Sequence, residues 1–264
     1  LKTMRKLQLK IFVAILLCLV WLPLKAQRSD KEDTLQLDPS IRYGRLANGF
    51  TYYIKDVEDA SEKINMALFV KVGIAHEKPE ELDFAHAIEH LAFKCAKNFP
   101  EHLANDHSLH SHLGMTKNDI KGRSGISFSM FDFNVPSKRM DALDTCLLWF
   151  ANISDLKLTP DKIDKERGPL RQEFIYRTGD NLEGLLVQSR LRSALLLCRN
   201  DDSSFFEHNR DFSPVSLIKF YKKWYGPERM GVAIVGDISD IDIIEKRVRK
   251  RFSDIKKHQS PTKW

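Results

Sequence analysis

Two histidines four residues apart, with a glutamate beside the second, are the residues of this sequence best suited to chemistry: His86-Ala87-Ile88-Glu89-His90. On a helix, positions i and i+4 lie one turn apart on a single face, so both imidazoles can reach one metal ion. Glu89 follows His86 by three residues and points to the same side. A carboxylate placed there can take the proton of a water that a metal has made acidic, leaving a hydroxide to attack a polarised peptide carbonyl. The chain holds 9 histidines in 264 residues, so the pattern is an uncommon accident. Its bland alternative is a surface helix that happens to carry these side chains. His102, His107, His110 and His112 sit in a polar stretch and are read as loop histidines rather than ligands.

A catalytic zinc usually takes three protein ligands and a water, so a third ligand must come from elsewhere. The segment Glu166-Arg167-Gly168-Pro169-Leu170-Arg171-Gln172-Glu173 offers two carboxylates. Seven residues is two helical turns, so Glu166 and Glu173 share a face. That suits one ligand and one acceptor that orients a histidine or the water. Taken alone, two glutamates at this spacing on a charged helix are more often a solvated face.

The elements that must position these residues follow from pattern. Residues 43–47 and 50–54 flank Asn48-Gly49, the favoured two-residue hairpin turn. A strand is expected over 64–73, a helix from about Asp83 to Lys94, and loop with a short helix over 101–114. Ile126 to Val135 alternates as a strand, and Ser137 can cap the helix that runs through Met140, Leu143, Leu147 and Phe150. Pro160 opens the helix carrying the two glutamates; Pro169 within it removes a hydrogen bond and predicts a bend. Further helices are expected over 182–197, 214–225 and 240–252, with a strand over 230–237. Strands and helices are interspersed, which predicts an α+β fold with a mixed sheet.

Composition narrows the function class. The 42 Lys and Arg residues outnumber 36 Asp and Glu, but Lys2, Arg5, Lys6, Lys10 and Lys25 lie in an acid-free leader. Without those five the balance is nearly neutral, which argues against a nucleic-acid partner. The leader itself has a basic start, an apolar run from Ile11 to Leu24 and small Ala26 before Gln27. It reads as a signal peptide over residues 1–26, with an uncleaved membrane anchor as the competing reading. Export to the periplasm or the extracellular space follows. Beyond the leader, Cys95, Cys146 and Cys198 are an odd number without CxxC spacing, so they are expected as thiols rather than a disulfide framework.

The stretch from Phe84 to Lys94 and on through Lys97-Asn98-Phe99-Pro100 resembles the insulinase/pitrilysin family of zinc peptidases, whose motif is the inverted one. So do Asp164-Lys165-Glu166-Arg167 to Glu173, the hairpin Leu46 to Tyr53, and Phe220 to Pro227 followed by Val235-Gly236-Asp237. The resemblance implies one zinc ion held by His86, His90 and Glu173, with Glu89 as general base and Glu166 as supporting carboxylate. It also implies a largely antiparallel sheet packed with helices, spanning residues 31–258 ahead of a short tail at 259–264. Peptides or unfolded protein segments are the implied substrates. A second, related half-domain is the implied partner, since family members resemble a two-halved clamshell. Departures are Cys95-Ala96, where the family usually has Gly-Thr, and Lys121-Gly122-Arg123-Ser124-Gly125, where it carries a different substrate-binding segment. Two other readings stand beside a peptidase: a zinc-binding but non-catalytic subunit of a two-part peptidase, and a chance motif on an exported binding domain.

Overall fold

Alternation along the strands sets the layers. In the strand Lys63–Val70 the side chains of Ile64, Met66, Leu68 and Val70 are buried, while Asn65 and Phe69 on the opposite side are exposed. Period-two burial of this kind puts one sheet face against a core and leaves the other open. The computed structural model describes residues 36–57, 62–99, 107–178 and 212–258. Among them the strands are β1 (Arg42–Arg45), β2 (Thr51–Asp56), β3 (Lys63–Val70), β4 (Ile120–Ser124), β5 (Ser129–Pro136) and β6 (Met230–Gly236). The helices are α1 (Phe84–Cys95), α2 (His107–Leu113), α3 (Met140–Asn152), α4 (Pro160–Thr178), α5 (Pro214–Trp224) and α6 (Ile241–Phe252). The expected helix over 182–197, Cys198, the leader and the tail at 259–264 lie outside the described residues. Among the described residues no helix is long and apolar enough to cross a membrane.

The six strands form one mixed sheet in the order β1-β2-β6-β3-β5-β4. All neighbours are antiparallel except β2 and β6, which run parallel with Thr51 opposite Gly231 and Ile54 opposite Ile234. This is the α+β, largely antiparallel architecture expected from the sequence. One face of the sheet contributes Tyr52, Ile54, Met66, Leu68, Phe131, Phe133, Val232 and Ile234 to a single core shared with α1, α3, α5 and α6. Trp149 of α3 anchors that core, with Phe131, Phe133 and Phe93 of α1 within 5.2 Å between ring centroids.

Local details depart from the sequence reading in three places. The hairpin between β1 and β2 closes through five residues, Leu46 to Phe50, with Leu46 N–H donating to Phe50 O at 2.8 Å. Only Gly49 takes positive φ, +93°. Asn48 is instead recruited by its side chain: Nδ2 donates to Phe252 O at 2.7 Å and Ile255 O at 2.9 Å, tying the hairpin to the end of α6. Ser137 does not cap α3. Arg139 N–H turns back to Pro136 O at 3.0 Å, so the helix starts beyond it, and Ser137 Oγ donates to Asp237 at 3.2 Å. Strand β5 begins at Ser129 rather than Ile126, because Gly125 N–H donates to Phe128 O at 2.7 Å and turns the chain after β4. Of the cysteines among the described residues, Cys146 is a buried free thiol and Cys95 is buried.

Asn48→Ala removes the donor from two carbonyls that end α6. Its expected cost is about 1–3 kcal/mol, read as a lower urea midpoint at unchanged slope.

Candidate metal centre

Helix α1 presents an apolar face and a flank that carries His86 and His90. Phe84, Ala87, Ile88, Leu91 and Cys95 are buried in the core, which fixes the rotation of the helix. Spacing then dictates that His86 and His90 lie together on the flank, with ring centroids 4.7 Å apart. Helix α4 lies along that flank. Its inward face reads Ile163, Glu166, Leu170 and Glu173, at intervals of three and four. Ile163, Glu166 and Leu170 are buried and Glu173 is partly buried. Two carboxylates thus sit in an apolar frame, rather than on the solvated face their spacing alone suggests. The helix continues through Pro169, which lies on its exposed side, where water can meet the carbonyl left unpaired.

Glu166 Oε1 is 2.9 Å from His90 Nδ1 and its other oxygen receives Lys94. Burial opposes the charge of Glu166, but the hydrogen bonds from His90 and Lys94 outweigh it and hold the carboxyl below the usual range. Glu173 Oε2 is 2.8 Å from His90 Nε2 and 3.5 Å from His86 Nε2. Among the described residues, one group of three His, Cys, Asp or Glu side chains converges well enough to hold a metal. It is His86, His90 and Glu173, with ligand atoms all within 4.8 Å of one another. His86 Nε2 is buried without a hydrogen-bond partner, which is costly unless something electron-poor meets it. Two imidazole nitrogens and one carboxylate oxygen are a donor set that suits zinc with an open fourth position. The residues therefore fit the ion that the sequence motif implies.

Electrostatics agree with a cation. Burial lowers the pKa of His86, yet the hydrogen bond and charge of Asp83, with Glu89 and Glu173 behind it, raise it to about 9. Glu89 is 9% exposed. Burial pushes its carboxyl up, against the charges of His86 and His90 and a 3.3 Å hydrogen bond from Ser124 Oγ.

The structure adds residues that sequence reasoning missed. Strand β4, at the sheet edge, was hidden by its polar Lys121-Gly122-Arg123-Ser124 sequence. It packs against α1, and a Cβ at Gly122 would lie 2.5 Å from Glu89 Oε1. Glu77, 1% exposed, accepts from Asp83 N–H and Ala85 N–H at 2.9 Å each and so closes the start of α1. Asp83 places both carboxylate oxygens 3.3 Å from His86 Nδ1. Helical spacing carries no signal for Glu77, which reaches α1 across an irregular turn.

Residues 55–197 match the family model described as "Insulinase (Peptidase family M16)", and residues 211–264 match the model described as "Peptidase M16 inactive domain". "Probable zinc protease PqqL" of Haemophilus influenzae is 28% identical over 223 residues, covering 81% of this chain and 23% of that relative. "Zinc protease PQQL-like" of Arabidopsis thaliana is 26% identical over 252 residues, covering 90% of this chain and 25% of that relative. The chain thus spans about a quarter of the length of these relatives. The crystal structure of the first half of the periplasmic protease PqqL from Escherichia coli superposes with a TM-score of 0.74 at 22% identity, over 87% of this chain and 49% of that one. That likeness shows a shared fold.

Glu77→Ala leaves two buried N–H groups at the start of α1 without their acceptor. The expected loss is about 2–4 kcal/mol of stability, measured by urea unfolding, with Glu77→Gln losing less because one carbonyl acceptor remains.

Proposed function

Because the chain belongs to the insulinase family, peptidase M16, we propose that it is the zinc-binding domain of an exported endopeptidase that hydrolyses peptide bonds. The observation that carries this reading is the convergence of His86, His90 and Glu173 on one point, with the His86 Nε2 atom buried there without a hydrogen bond. His86, His90 and Glu173 would hold one zinc ion. Bound there, zinc supplies Lewis-acid chemistry, polarising the scissile carbonyl and acidifying a water. Glu89 takes the proton of that water and passes it to the leaving amine. Glu166 accepts from His90 Nδ1–H and so presents Nε2 to the ligand point, as an orienting carboxylate does for a ligand histidine. Gly122 leaves the space in which the Glu89 carboxylate stands.

We read residues 1–26 as a signal peptide, 31–258 as the domain and 259–264 as the start of a tail or linker. The substrate is a peptide or an unfolded protein segment, held with the help of a second insulinase-like half-domain. The sheet edge at β4 borders the site, and a second half facing it would close a chamber around the substrate. The periplasm is the favoured compartment, supported by the leader and by the description of the E. coli relative as periplasmic.

Metal analysis of the purified chain is expected to give about one zinc per chain; a chain that refuses zinc would sink the reading. Cleavage of quenched fluorescent peptides, alone and with a separately produced second half, is expected to fall 10²- to 10⁴-fold in Glu89→Gln with zinc content unchanged. Equal activity would exclude Glu89 as the base. Gly122→Ala forces the Glu89 carboxylate aside. Its kcat is expected to drop at least about tenfold while zinc affinity holds.

A further inference from the structure

We infer that Asp83 is a positioning residue for His86, presenting that imidazole to the metal as Glu166 presents His90. The inference rests on the zinc reading above and assigns a role that the sequence motif does not contain.

Asp83 stands in a backbone conformation that few side chains adopt. Its φ is +68° and its ψ 13°, in the left-handed region. Among the described residues, Glu62 is the other non-glycine residue with positive φ. Such a conformation persists where its surroundings hold it. An aspartate immediately before a helix ordinarily turns its carboxylate onto the first free N–H groups, but Asp83 makes no such capping bond. The work is done by Glu77, whose carboxylate takes the N–H of Asp83 and of Ala85. The Asp83 carboxylate lies instead along the flank of the helix, both oxygens 3.3 Å from His86 Nδ1. The side chains of Asp83 and His86 are 13% and 16% exposed, so the pair meets largely out of water.

The consequence for the ring is specific. An imidazole that donates Nδ1–H to a carboxylate presents the Nε2 lone pair, and the carboxylate makes that nitrogen a stronger donor to a metal. His86 Nε2 is buried without a hydrogen-bond partner, and it faces Glu173. The two ligand histidines therefore have matching supports of different origin. His90 Nδ1 meets Glu166 of another helix at 2.9 Å, and His86 Nδ1 meets the residue that opens its own helix.

Two substitutions separate this role from a purely backbone one. Glycine takes φ +68° without strain but offers no acceptor. Asparagine tolerates the left-handed region and keeps one carbonyl acceptor. Zinc affinity is measured by chelator competition, and the His86 Nδ1–H proton by nitrogen-edited NMR of the zinc-free chain. Asp83→Gly is expected to weaken zinc binding about tenfold or more and to lose the hydrogen-bonded Nδ1–H signal. Asp83→Asn is expected to keep that signal and most of the affinity. If Asp83→Gly binds zinc as tightly as the wild type, the inference is overturned and the zinc reading stands. If the wild type itself binds no zinc, the zinc reading fails and takes the inference with it.

Discussion

A half-buried imidazole gripped at both ring nitrogens by one neighbouring helix is the interaction on which the rest of the structure depends. His90 meets Glu166 through Nδ1 and Glu173 through Nε2, both from α4. A carboxylate as enclosed as Glu166 is tolerable only when its oxygens are taken up, and His90 and Lys94 do so. Ile163 and Leu170 frame it with apolar contacts that exclude water. Helix α4 is polar along most of its length, so these few inward positions decide how it docks on α1. Removing either glutamate would alter the chemistry and the packing together.

The remaining supports act on α1 from its other sides. The core fixes its rotation, Glu77 closes its N-terminus, and β4 borders Glu89 closely enough that a methyl group at Gly122 has no room. Side chains that carry out chemistry need placement to within about half an ångström. Here that comes from packing on three sides of one short helix, each side belonging to a different part of the chain.

How much of this could be read beforehand depended on the kind of signal. His86, Glu89 and His90 were legible because one local period places them. The sheet was legible where burial alternates, as in β3 and β5. Strand β4 was not, since this edge strand is short, mostly polar and glycine-bearing. Spacing alone left Glu166 and Glu173 looking like surface charges, and the family resemblance is what singled them out; Ile163 and Leu170 repeat at the same spacing, a sign that the face turns inward. Asn48 lay in a turn that the sequence located but explained only in part, because its side chain serves both the turn, through Phe50 N–H, and the end of α6, through Phe252 O and Ile255 O. Glu77 left no trace, since its contacts cross an irregular segment in which no period exists; Asp83 stood at the expected start of the helix, but nothing in the spacing showed that its carboxylate turns to His86 rather than to the first N–H groups.

Strand β6 lies between β2 and β3 in the sheet yet comes after α5 in the chain. While the polypeptide emerges from the ribosome, β1-β2 and β3-β5-β4 can form only as separate fragments, each with an open edge where β6 belongs. Unpaired edges of this kind invite pairing with other chains. The two histidines and their glutamates are all synthesised before the strand that joins the halves of the sheet beneath them. The order in which these side chains can come to rest on a finished sheet is thereby set by topology rather than by the order of the motif.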